Sequence, residues 1–172
     1  MAAPHEHENP EHDVQVRVQI LSPGAEEFKV KLPEAAALLE VMQRGAALAH
    51  VALLPTQDAP LDRLHNILKH DEVGPAIQDL DQAIGDFVRQ PGTTRDFGIE
   101  LVLAFRVNTR WAIAPKPELS PREILALPEI NLDYTQYSLY LPNSTDLLAL
   151  DTPIKIERGM AFEAQRDGRY GA

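Results

Sequence analysis

The sequence contains no cysteine, which excludes disulfides, thiolate metal ligands and a thiol nucleophile of its own. Any thioester chemistry involving this chain therefore takes its sulfur from another protein. A run of basic residues is also missing: Asp and Glu outnumber Lys and Arg 26 to 16, for a formal net charge of −10. That balance disfavours nucleic acid as the main partner, because phosphate binding runs on clustered Lys and Arg. No apolar run approaches the roughly 18 residues of a membrane span, and the first residues lack the basic and apolar regions of a secretory signal. The expectation is a cytoplasmic chain without a membrane partner. What is present is ordinary for a globular protein, 44% hydrophobic and 24% charged residues over 172 positions, a length for one domain or two small ones.

Residues 1–12 hold His5, His7 and His12 among Glu6, Glu8 and Glu11, with Pro4 and Pro10 interrupting any helix. This reads as a solvated acidic tail. An ordered metal site needs ligands fixed on a scaffold, so no metal is assigned to it.

Regular structure is expected from Val14, where Val14, Val16, Val18 and Ile20 alternate with polar residues as in a half-buried strand. Ser22-Pro23-Gly24 turns the chain, and Phe28, Val30 and Leu32 alternate again, which predicts a hairpin. A helix is expected to open at Pro33 and Glu34, run through Leu38, Leu39, Val41 and Met42, and break near Gly45. Two more helices are expected over 60–90. One follows from the stripe Leu61, Leu64, Ile67 and Leu68, the other from Ile77, Leu80, Ile84, Phe87 and Val88. His65 and His70 are five apart and do not share a helix face as a metal pair would, so they are read as surface polar groups.

The polar segment Gln90-Pro91-Gly92-Thr93-Thr94 marks the expected domain boundary. Beyond it Ile99, Leu101, Leu103, Phe105 and Val107 alternate, with Val102 and Ala104 making the other face apolar too, as in a central strand. Asn108-Thr109-Arg110 turns into a return strand carrying Trp111 and Ile113. Ser120-Pro121-Arg122-Glu123 has the form of a capping box, opening a helix that buries Ile124, Leu125 and Leu127 and stops near Pro128. Strands around Leu139, Ile154 and Phe162 complete the order strand, strand, helix, strand, strand, strand.

That order is the β-grasp order. The phrases Arg122-Glu123-Ile124-Leu125, Tyr137-Ser138-Leu139-Tyr140-Leu141 and Ile156-Glu157-Arg158-Gly159-Met160-Ala161-Phe162-Glu163-Ala164 resemble the bacterial multi-ubiquitin and related ubiquitin-like family. The resemblance covers less than half of the chain. It implies an α+β protein of tandem β-grasp (ubiquitin-like) domains. Residues 13–95 would form a divergent first domain with extra helices, 96–164 the second, and 165–172 a flexible conjugation tail. It also implies a protein modifier of a bacterial antiphage defence operon. Its partners are an activating-like enzyme, a conjugating-like enzyme, a processing or deconjugating peptidase, and a target protein joined through an isopeptide bond.

Under that resemblance the chemistry falls on Gln165-Arg166-Asp167-Gly168-Arg169-Tyr170-Gly171-Ala172. A tail that enters a narrow enzyme channel needs an extended backbone and a terminal residue without a side chain. Gly171 meets the second need after cleavage before Ala172. Arg166, Gly168, Arg169 and Tyr170 form the expected enzyme-docking tail, with the arginines facing acidic groups on an activating enzyme. No cofactor is implied. Lys116 and Lys155 are the lysines of the second domain and candidate acceptors, whereas Trp111, Tyr137 and Tyr140 suit either a core or an interface. No G-x-G-x-x-G, P-loop, H-E-x-x-H or G-x-S-x-G pattern is present, so an enzyme is not expected. The alternative expectation is a ubiquitin-like module that binds partners or self-assembles without being conjugated.

Overall fold

The computed structural model describes residues 12–171, so the tail expected over 1–12 lies outside the described residues except for His12, and Ala172 lies outside them as well. Among the described residues the protein is an α+β chain of two units that divide between Leu101 and Val102.

The first unit opens with β1 (Asp13–Ile20) and β2 (Glu27–Pro33), an antiparallel hairpin that pairs Val16 with Val30 and Val18 with Phe28. Alternation puts Val14, Val16, Val18 and Ile20 on one face, all buried. Helix α1 (Leu38–Leu48) lies against that face and buries Leu38, Val41 and Met42. It begins five residues after Pro33, because Pro33 ends β2 as a strand residue and a turn follows. Gly45 does not break the helix but lets it approach the sheet: a Cβ there would stand 2.6 Å from a Val18 methyl.

The two helices expected over 60–90 are largely replaced by strands. β3 (Arg63–Ile67) and β4 (Val73–Ala76) pair with each other, and only α2 (Ile84–Val88) is helical. In β3 the stretch from Leu64 to Ile67 is buried throughout, and a short run covered on both sides carries no period that separates strand from helix. β5 (Asp96–Glu100) then enters between β1 and β3, parallel to the first and antiparallel to the second. The sheet order is β2-β1-β5-β3-β4.

The second unit starts with β6 (Ala104–Val107) and β7 (Arg110–Ile113), joined by a two-residue turn at Asn108 and Thr109. Asn108 has φ of 55°, the left-handed value such turns require. A short pair of β8 (Glu118–Leu119) and β10 (Ile154–Lys155) flanks α3 (Pro121–Ala126). The capping box is formed as expected: the Glu123 amide donates to Ser120 Oγ at 3.2 Å, and the Ser120 amide donates to Glu123 Oε1 at 3.0 Å. β9 (Ser138–Tyr140) and β11 (Ala161–Gln165) complete a sheet of order β7-β6-β11-β9, with β6 and β11 parallel. Its core holds Ile124, Leu125, Leu139 and an edge-to-face pair of Phe105 and Phe162, 6.0 Å between centroids.

The boundary expected after residue 95, and the single central strand expected over 99–107, are both corrected by these pairings. Asp96–Glu100 is the middle strand of the first sheet, and the chain passes through 101–103 into the first strand of the second. Both faces of the stretch are apolar because its two ends serve separate cores: Ile99 packs in the first and Phe105 in the second.

Candidate functional site

The C-terminal segment leaves β11 at Gln165, and the sequence directs it to turn there. Gly168 takes φ of 64°, a value glycine adopts without strain, and Arg169–Gly171 closes a single 3-10 turn with the Gly171 amide bonded to the Gly168 carbonyl at 3.0 Å. The segment therefore folds back beside β9. The Gly168 amide donates to the Gln136 carbonyl at 3.0 Å, and the Arg169 amide to Ser138 Oγ at 3.1 Å.

Tyr170 anchors the turn. Its half-buried ring packs against the core of the second unit, and its hydroxyl accepts from the Leu139 amide at 3.3 Å while donating to the Leu148 carbonyl. Burial pushes the phenol above its ordinary value of 10.0, so it keeps the proton it donates. The backbone of Leu139 faces away from β11, since its carbonyl accepts from the Leu148 amide at 3.1 Å. Tyr170 thus fills a strand-edge donor that a chain end folded elsewhere would leave to water.

Polar side chains brace the same turn. The Tyr140 hydroxyl donates to Asp167 Oδ2 at 2.5 Å, and Arg169 Nη1 lies 3.4 Å from the Tyr140 oxygen. The Ser138 hydroxyl first, then that of Tyr140, hold the exposed Asp167 carboxyl below its ordinary value of 3.8. Arg166 Nη2 reaches Gln136 Oε1 at 3.3 Å. Gly171 lies so close to the chain beneath it that a Cβ would stand 2.8 Å from the Thr135 carbonyl oxygen.

The expected tail residues Arg166, Gly168, Arg169, Tyr170 and Gly171 are thus brought together, but in a compact turn rather than as the extended strand expected of a conjugation tail. The reason is Tyr170: an aromatic ring with a hydroxyl gains both apolar contact and two backbone partners by folding back. Gln136, Ser138, Tyr140 and Leu148 join this site from outside the expected tail, and Asp167, within that tail, gains partners that the sequence does not assign to it. Asp167 beside two hydroxyl-bearing residues is a pairing that no local spacing in the sequence marks.

Other candidates are distributed differently. Tyr140 is buried, whereas Trp111 and Tyr137 are half-buried. Lys116 is tied to Glu123 at 2.6 Å, while Lys155 is exposed without an ion pair among the described residues. His70 is exposed, but His65 is not the surface group expected. It is buried, with Nδ1 2.8 Å from the Gly74 carbonyl and Nε2 2.7 Å from Glu100 Oε1. Among the described residues no three His, Asp or Glu side chains converge as metal ligands would, and no helix is long and apolar enough to cross a membrane.

Comparison with known protein families and with curated proteins yields no match.

Proposed function

We propose that both units are β-grasp domains and that the chain is a ubiquitin-like protein modifier, conjugated through Gly171 by partner enzymes of a bacterial antiphage defence system in the cytoplasm. The observation that carries this reading is the strand order. In each unit the first hairpin lies second-then-first beside the last strand, the first and last strands are parallel, a helix intervenes, and a further strand flanks the last. Two such units in tandem, followed by a segment holding Gly171, fit the family that the sequence resembles. Fold alone does not assign function, so the tail chemistry carries the rest.

In this reading a peptidase hydrolyses the bond after Gly171, releasing Ala172 and freeing the Gly171 carboxylate. ATP adenylates that carboxylate with loss of pyrophosphate; a partner thiolate displaces AMP to form a thioester; a target amine displaces the thiolate to form the isopeptide bond. The chain itself contributes the carboxylate and its approach. Each step requires the segment to leave β9, and the Tyr170 hydroxyl bonds are among the contacts to be broken, with those of Gly168, Arg169 and Asp167.

The docked turn also favours a second reading, a ubiquitin-like module that binds partners or self-assembles with its C-terminal segment in place. Co-expression with enzymes encoded beside it, followed by intact mass spectrometry, separates the two. The modifier reading expects a chain ending at Gly171 and higher-mass adducts, both abolished by Gly171→Val. Retention of Ala172 with no adducts would leave the binding module.

A further inference from the structure

The outward face of the first sheet carries a group of cations, although the chain as a whole has a net charge of −10. With Val14, Val16 and Val18 turned inward, β1 presents Gln15 and Arg17 outward, and β2 presents Glu27, Lys29 and Lys31. The register places Lys29 directly opposite Arg17, and Arg17 directly opposite Asp96 on β5. Arg17 is balanced by two carboxylates, Asp96 Oδ1 at 3.0 Å and Glu27 Oε1 at 3.7 Å. Lys29, Lys31 and Arg95 are exposed and have no ion pair among the described residues.

Arg17, Lys29 and Arg95 line an open groove of about 470 Å³ together with Gln15, Val16 and the carboxylate of Asp96. Lys31 lies outside the groove, two residues further along β2 and opposite its lining residue Gln15. Asp96 and Glu27 answer the charge of Arg17, so the positive charge left for an anionic ligand is that of Lys29, Lys31 and Arg95. Lysine on an edge strand also discourages pairing with an ordinary apolar strand. It does not discourage an acidic one.

We propose that this groove docks an extended acidic segment of a partner protein. Lys29 and Lys31 are two residues apart on one face, about 6.8 Å by strand geometry, which matches carboxylates at alternate positions of an extended peptide. A nucleic acid fits less well. The groove is short, and a net charge of −10 repels a long polyanion, whereas a short acidic segment meets mainly the local field. The proposal concerns the first unit and does not depend on the conjugation reading.

The test is fluorescence anisotropy of a labelled peptide of alternating Glu and Ser against the full chain, beside a Gln-Ser peptide and a single-stranded oligonucleotide of equal charge. The expected result is binding of the Glu-Ser peptide that weakens with salt, and no binding of the Gln-Ser peptide. Lys29→Glu with Lys31→Glu should raise Kd by about tenfold, the neutral pair Lys29→Gln with Lys31→Gln by a smaller factor, and Lys69→Glu should leave it unchanged. Both double variants keep their fold by circular dichroism, since a Glu at position 29 has Arg17 opposite it. Absence of binding, equal binding by the charge-reversed chain, or tighter binding of the oligonucleotide would overturn the proposal.

Discussion

The hydroxyl of Tyr170 accepts the Leu139 amide, thirty-one residues upstream, at 3.3 Å, and thereby closes the outer edge of β9. The same hydroxyl donates its proton to the Leu148 carbonyl, so one group ties the C-terminal segment to two places in the second unit. Tyr170→Phe keeps the ring in its apolar seat and removes only these two bonds, at a cost of about 1–3 kcal/mol. The expected outcome is faster hydrogen exchange at Leu139 and over 168–171, with the remaining amides of the second unit unchanged. If the turn is the barrier to conjugation, the same variant should be processed and activated faster. Unaltered exchange at Leu139 would show that the hydroxyl does not hold the segment.

Gly171 probes the docked turn by its packing alone. A methyl group at this position meets the Thr135 carbonyl oxygen at 2.8 Å, a backbone atom that cannot swing aside as a flexible side chain would. Gly171→Ala should therefore loosen the turn in the isolated chain. The measurement is protease sensitivity at Arg166 and Arg169, which should increase while the melting temperature stays within a degree or two. A segment as resistant as that of the wild type would mean that the turn accommodates the methyl group.

Acid should release the turn as well. Asp167 is held below 3.8 by the hydroxyls of Ser138 and Tyr140, so its ionised form is favoured when docked. A carboxyl lowered in this way contributes fully above its ordinary value, and the contribution is lost as pH falls through the docked one. Exchange or nuclear magnetic resonance shifts of Gly168–Gly171 should stay constant from neutral pH down to about 4 and change only below it. Asp167→Asn should flatten that acid transition. A transition centred near pH 6 would point to another group.

How much of this was legible in the sequence depended on whether a pattern had one owner. The first hairpin, with Val14, Val16 and Val18 facing Val30 and Leu32, could be read because one face is buried and the other wet. The capping box at Ser120 could be read because its bonds are local. The stretch 96–107 could not, because Ile99 and Phe105 look like one apolar strand while belonging to different cores. His65 looked like a surface residue because its partner Glu100 lies thirty-five positions away. The docked tail was missed for the same reason. Glycines and arginines suggest a loose end, but the decision lay with Tyr170 and two backbone groups that only the folded unit brings near.

Gly45 offers a test of the first core that is independent of the tail. In an isolated helix, alanine would gain about 1 kcal/mol over glycine. Here the added Cβ would lie 2.6 and 2.9 Å from the two methyls of Val18 and 3.1 Å from Ile99 Cδ1, in a core where Val18 and Ile99 are fully buried. Overpacking of that kind costs about 1–3 kcal/mol, so the steric term outweighs the propensity gain and Gly45→Ala should lower stability in urea or heat. Val18→Ala removes the methyls that collide, so the double variant should be more stable than the sum of the two single effects allows. Strict additivity of the two substitutions would mean that α1 shifts away from β1 rather than pressing upon it.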